Sequence, residues 1–210
     1  MNKDVKAAVK DGLVLVIITL IAGLALGAVY QLTKEPIAQQ KELALAESCR
    51  AVFPDEEGFV QATSFTPCDH ALSEQLKNQL AGEGITVGNI YNAVSADQNT
   101  VGYAIEVTSS EGYGGDIKLM CGISSEGVLR GVSILEISET AGLGMRAESV
   151  LVPQIHNMNV TEITFTKTGK TAENEIDAIS GATITTTAFT NIVNAALDVY
   201  GEISSVKGGA

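Results

Sequence analysis

The stretch that decides the fold is Asp116-Ile117-Lys118-Leu119-Met120-Cys121-Gly122-Ile123-Ser124, followed by Ser125-Glu126-Gly127 and then Val128-Leu129-Arg130-Gly131-Val132-Ser133-Ile134-Leu135-Glu136-Ile137-Ser138. Two β-branched, alternating runs flank three residues of turn chemistry, which is the pattern of an antiparallel hairpin. Working outward, Ile85 to Ser95 and Thr100 to Thr108 have the same character, joined by Asp97-Gln98-Asn99. A glycine-rich segment ending at Gly115 leads from them into the hairpin. Connections this short predict a meander. Ahead of it, Leu72, Leu76 and Leu80 recur at four-residue spacing and predict a short helix. After it, Ile184 to Tyr200 places Phe189, Ile192, Val193, Ala196, Leu197 and Tyr200 on one helical face. A sheet with helices packed on one side is an α+β domain.

The full chain has 210 residues, enough for one sizeable domain plus appendages. Its net charge of -12, with only 13 lysines and arginines, argues against a nucleic-acid partner, because tracking phosphates needs clustered cations. Cys49, Cys68 and Cys121 lack the paired spacing of a zinc or iron–sulfur site, and His70 and His156 lack metal-motif spacing, so no metal is expected. Cys49 and Cys68 are open to disulfide formation if they lie outside the cytoplasm. Cys121, within an apolar strand, is expected to be a buried small hydrophobe.

Mean hydropathy is positive, and the excess lies near the N-terminus. From Gly12 to Thr33 there is no charge, and Leu13 to Leu32 is almost wholly apolar. About 20 helical residues span about 30 Å, the hydrocarbon thickness of a bilayer. The alternatives are a core helix or a cleaved signal peptide, for which Ala25-Leu26-Gly27 is a faint cleavage site. Lys3, Lys6 and Lys10 precede the span, and positive residues stay inside. The expected organisation is a cytoplasmic tail over 1–12, a transmembrane helix over 13–32 and a connector helix and loop over 33–69. Residues 70–210 then form an extracytoplasmic domain. Pro36, tolerated in a first helical turn, is expected to restart or kink the helix leaving the membrane.

Asp177-Ala178-Ile179-Ser180-Gly181-Ala182-Thr183 places Thr183 at the start of the last helix. Helix N-terminal N–H groups and the helix dipole favour phosphate, so a hydroxyl there is placed to lie beside one or be esterified to one. Four threonines, 183, 185, 186 and 187, crowd this start, while capping needs one. Two glycine clusters interrupt the strands, Gly112-Tyr113-Gly114-Gly115 and Ala141-Gly142-Leu143-Gly144. Gly142-x-Gly144-x-x-Ala147 formally matches a dinucleotide fingerprint, but its βαβ context is missing.

These motifs together resemble a known family. Asp177 to Thr183 is similar to the flavinylation motif Asp-x-x-Ser/Thr-Gly-Ala-Thr. Glu139-Thr140-Ala141-Gly142-Leu143-Gly144 resembles the Glu-Thr-Pro-Gly-Leu-Gly signature of FMN-binding domains. Those domains occur in the G subunit of Rnf complexes and in the C subunit of sodium-translocating NADH:quinone oxidoreductases. Leu32 to Ala38, the Gly112-Tyr113-x-Gly115 turn and the single anchor extend the resemblance over most of the chain. Ala141 stands where the signature has proline, and Ile137 where many members have histidine, so no histidine-based proton role is expected there.

The resemblance implies FMN held through a phosphoester to Thr183, with Ser180, Gly181, Ala182, Asp177, Glu139, Thr140, Gly142, Leu143, Gly144 and Tyr113 as cofactor-binding residues. Asp177 serves either attachment geometry or a plain turn. A threonine hydroxyl needs an activating base or metal, and the motif has no histidine. The resemblance therefore implies a separate Mg²⁺-dependent flavin transferase using FAD as donor. It also implies a phosphoprotein electron carrier with no independent turnover, working beside the other subunits of a membrane-bound Rnf-type ferredoxin:NAD⁺ oxidoreductase coupled to Na⁺ or H⁺ transport. The compact length favours the Rnf reading over the C subunit of the quinone reductase. A non-redox anchored binding module and an assembly subunit are the competing classes.

Overall fold

The computed structural model describes residues 3–56 and 58–207. The first two residues of the expected tail and the last three of the expected domain lie outside the described residues. So do the side chains of Lys3 and Lys6, on which the expected orientation rests. The chain divides into two compact units, Met1–Ala44 and Leu45–Ala210.

The first unit is helical, and its helix α1 is assigned over Lys3–Ala51. Within it, Gly12–Ile37 has 26 residues, a mean hydropathy of 2.7 and no buried part, so it is long and apolar enough to cross a membrane. Its Thr19 hydroxyl donates to Leu15 O at 3.0 Å, a back-bond that satisfies the polar group within the helix. Pro36 lies inside α1, which continues through it rather than restarting.

The second unit is built on a six-stranded antiparallel sheet of β1 (Ser64–Pro67), β2 (Ile85–Val94), β3 (Thr100–Ser109), β4 (Ile117–Ser124), β5 (Leu129–Ile137) and β6 (His156–Met158), ordered as numbered. The four expected runs are β2 to β5, paired as a meander. Between β1 and β2 runs α2 (Glu74–Gly82), starting later than Leu72 suggested, because Ser73 is its N-cap and its Oγ accepts the Leu76 N–H at 3.3 Å. After β5 come α3 (Ala147–Val150), a small parallel pair of β7 (Thr164–Thr166) with β8 (Glu175–Asp177), and the long α4 (Thr183–Lys207).

Strand alternation sends two sets of residues to opposite faces. Tyr103, Ile105, Val107, Leu119, Cys121 and Ile123 pack into one core with Phe189, Ile192, Val193, Ala196 and Val199 of α4. On the opposite face, Ala104 and Met120 meet Cys49, Val52 and Phe53 from the end of α1 and the segment after it. The sheet therefore has cover on both faces, which explains the nearly continuous apolar run of β4.

Glycines make the second cover possible. A Cβ built on Gly122 would lie 2.3 Å from Val52 O, so only glycine lets that backbone settle on the strand. Arg130, buried at 2 % exposure, holds the segment that follows. Its Nη2 donates to Pro54 O at 3.0 Å, its Nη1 donates to Asn157 Oδ1 at 2.8 Å, and its guanidinium lies 3.4 Å from the centre of the Phe59 ring.

All three cysteines are free. Cys49 and Cys68 pack against different hydrophobic clusters, so the disulfide open to them in the sequence is not formed. Cys121 is a buried hydrophobe, as expected, and burial pushes its thiol up to about 12. Burial, assisted by Glu106, pushes Cys49 up to about 11, so neither presents a thiolate near neutral pH.

Replacing Gly122 by alanine is expected to destabilise the second unit by about 1–3 kcal/mol through overpacking against Val52. Thermal unfolding of the detergent-solubilised chain checks this, with an unchanged midpoint as the contrary result.

Candidate functional site

The site forms where α4 begins. Gly181, with φ +80, turns the chain out of β8, and α4 starts at Thr183. The Thr186 N–H donates to Ala182 O at 3.0 Å, which makes Ala182 the N-cap residue. Alanine is among the poorest N-caps because it has no side-chain acceptor. The threonines do not supply the missing cap, since Thr186 and Thr187 donate back to the carbonyls of Ala182 and Thr183, both at 2.9 Å. Thr186 also accepts the Ile179 N–H at 3.2 Å, pinning the turn before the helix. Among the described residues, the N–H groups of Thr183, Ile184 and Thr185 have no acceptor.

These donors open onto a cleft of about 430 Å³ lined by Tyr113, Glu139, Thr140, Leu143, Gly144, Gly181, Ala182, Thr183, Ile184 and Thr185. Three separated segments of the chain meet there. Glu139 Oε1 accepts the Tyr113 N–H at 2.8 Å and so locks the glycine turn of residues 112–115 against the end of β5. Its other oxygen, Oε2, is buried without a hydrogen-bond partner. A buried carboxylate oxygen left alone costs stability, so this atom has room for a donor from outside the chain. A Cβ on Gly144 would lie 2.7 Å from both Glu139 Cβ and Thr185 Oγ1, so glycine there keeps the cleft open.

The rim is apolar. Among the described residues after Ala44, the exposed large hydrophobics are Val60, Tyr113, Leu143, Met145 and Ile184, and all but Val60 lie in or directly beside the cleft. Such clustering marks a ligand or partner site, whereas scattered exposed hydrophobics need no explanation.

Of the residues expected to act together, Tyr113, Glu139, Thr140, Leu143, Gly144, Gly181, Ala182 and Thr183 line this cleft, while Ser180, Gly142 and Asp177 do not. Gly142 has φ +78 with open space around it, so it shapes the loop. Asp177 ends β8, and its Oδ1 accepts the Lys170 N–H at 2.8 Å, a turn-organising contact. Ile184 and Met145 were not anticipated. The signal for Ile184 was present, since it is an apolar residue off the core stripe of its own helix.

An FMN-binding domain model matches residues 112–198, the span that contains every residue of the cleft. A second model, the RnfG N-terminal region, matches residues 1–52. The G subunit of the Na⁺-translocating ferredoxin:NAD⁺ oxidoreductase complex of Acetobacterium woodii is 30 % identical over 204 residues, covering 96 % of this chain and 95 % of that one. The G subunit of an ion-translocating oxidoreductase complex from Shewanella piezotolerans is 29 % identical over 201 residues, covering 94 % and 91 %. Among solved structures, NqrC of Shewanella oneidensis aligns with a TM-score of 0.43 and 14 % identity over 53 % of this chain and 56 % of that one. The chain belongs to the family of G subunits of Rnf-type ion-translocating oxidoreductase complexes, with an FMN-binding domain over residues 112–198.

Proposed function

We propose that Thr183 carries FMN through a phosphoester and that the chain, held to a membrane by its N-terminal helix, relays electrons to neighbouring subunits of an Rnf-type complex. The observation that carries this reading is the uncapped start of α4. Three N–H groups without acceptors and the positive end of a 25-residue helix lie beside the Thr183 side chain. That environment stabilises a phosphate.

The remaining cleft residues fit the rest of FMN. Tyr113, Leu143 and Ile184 offer apolar surface to a flat ring, and Glu139 Oε2 offers an acceptor to a ligand N–H or hydroxyl. FMN, when bound, supplies the redox chemistry, while the protein supplies position and electrostatics. Among the described residues, Tyr113 and Glu139 are the only titratable side chains lining the cleft, and no histidine is among the lining residues. With no histidine lining the cleft to activate the hydroxyl, a separate transferase acting on FAD is the reading we favour. In that step Thr183 Oγ1 bonds to the FMN phosphorus, the pyrophosphate bond of FAD breaks, AMP leaves and the hydroxyl proton is lost.

A covalent link suits a carrier outside the cytoplasm, where a dissociating cofactor would be lost. Orientation with the FMN domain outside follows from Lys3, Lys6 and Lys10 ahead of the apolar segment. The coupling ion is Na⁺ or H⁺, in keeping with the sodium-translocating complex of the Acetobacterium relative.

Co-expression with a flavin transferase is expected to give a fluorescent band on a denaturing gel and an FMN-sized mass increase. Both are expected to be absent from Thr183→Ala. A fluorescent band that survives in that variant moves the attachment elsewhere.

A further inference from the structure

We infer that Gln154 is a positioning residue for FMN, setting the separation between the two walls of the cleft. One wall is the run from Glu139 through Gly144, which continues without a break through α3 to Gln154. The other is the run from β8 through the turn at Gly181 into α4. Among the described residues, the hydrogen bonds joining these two segments all come from the Gln154 side chain.

The Gln154 amide acts as a neighbouring strand would. Its Oε1 accepts the Asp177 N–H at 2.7 Å, and its Nε2 donates to Asp177 O at 3.0 Å. The same Nε2 donates to Val150 O at 2.7 Å, which fixes the side chain to the end of α3. β8 has only three residues and pairs with β7 alone, so the glutamine supplies the hydrogen bonds on its other edge.

Between Asp177 and Thr183, the N–H groups of Asp177, Ala178, Ile179 and Ala182 are hydrogen-bonded, on both sides of the turn at Ser180 and Gly181. The Ala178 N–H donates to Thr166 O at 2.8 Å, the Ile179 N–H to Thr186 Oγ1 at 3.2 Å and the Ala182 N–H to Ile179 O at 3.0 Å. A segment tied this closely transmits a shift at Asp177 to the start of α4 instead of absorbing it. Loss of the clamp therefore widens the gap between Leu143 on one wall and Gly181 on the other, where a Cβ on Gly181 would lie only 3.2 Å from Leu143 Cδ2. Gln154 itself touches neither the cleft nor Thr183.

This inference rests on the assignment of FMN to the cleft, and its test separates the two. The full-length protein, Gln154→Met and Gln154→Glu are loaded in detergent with a flavin transferase and FAD, and loading is verified by intact mass. Methionine keeps the length of the side chain and removes all three hydrogen bonds, the two to Asp177 and the one to Val150; glutamate keeps an acceptor and loses the donor. Visible-region circular dichroism and iodide quenching of flavin fluorescence are then read at 25 °C in equally loaded, folded protein. Both variants are expected to lose visible dichroism and to shift in iodide quenching towards free FMN. A loss of global stability alone would lower the unfolding midpoint and leave both optical readouts of folded molecules at wild-type values. If Gln154→Met does not fold, Gln154→Glu carries the comparison. Wild-type dichroism and quenching in a loaded variant overturn the positioning role. A wild-type chain that gains no FMN-sized mass overturns the flavin assignment itself.

Discussion

Burial of the apolar stripe of α4 against β3 and β4 decides where that helix begins, and the site depends on it. Phe189, Ile192, Val193 and Ala196 are fully buried, which fixes the helix in rotation and in register on the sheet. The first turn, ahead of that stripe, begins at Ala182, which has no side-chain acceptor to cap it. Three N–H donors and roughly half a positive charge remain open at the cleft. A side-chain cap is typically worth about 1 kcal/mol, and this terminus goes without one.

Much of the fold was legible because its main signals are local. The alternation in β2 to β5 and the turn chemistry between them gave strand limits within about one residue of those observed. What escaped were strands whose existence depends on distant partners. β1 is four residues of mixed polarity paired with β2, and β6 is three residues paired with β5. β7 and β8 form a parallel pair across a loop held by Glu175, whose carboxylate accepts from the N–H and hydroxyl of Thr171 and from the N–H of Ala172. Those bonds hold that carboxyl below the usual range. Nothing in a three-residue window announces such pairing. Pro36 allows a restart or a kink by sequence alone, and α1 runs through it without restarting, since one missing N–H does not end a helix whose neighbouring turns remain bonded.

The cleft was legible in part for the same reason. Glu139 to Gly144 and Gly181 to Thr183 were found through their resemblance to family motifs, and the fold brings them together. Asp177 belongs to the same motif but serves the backbone beside β8. Gln154 was invisible, since an isolated glutamine carries no local signal, and its meaning comes from Asp177 opposite it. The second face of the sheet teaches a related lesson. Arg130 reads as an ordinary strand cation, yet the structure buries it as the tie between β5 and the segment following α1. That tie and the glycine at 122 seat the end of α1 on the sheet.

The central proposal is that Thr183 carries FMN at the start of α4 with its phosphate as a diester. Phosphorus-31 NMR of the purified full-length chain tests it most directly, because a monoester has a second ionisation near pH ~6 and a diester has none. A single protein-bound phosphorus resonance whose chemical shift stays constant from about pH 5 to 8 is expected. A resonance that titrates with a midpoint near pH ~6 would show FMN bound without a covalent link and would contradict the claim.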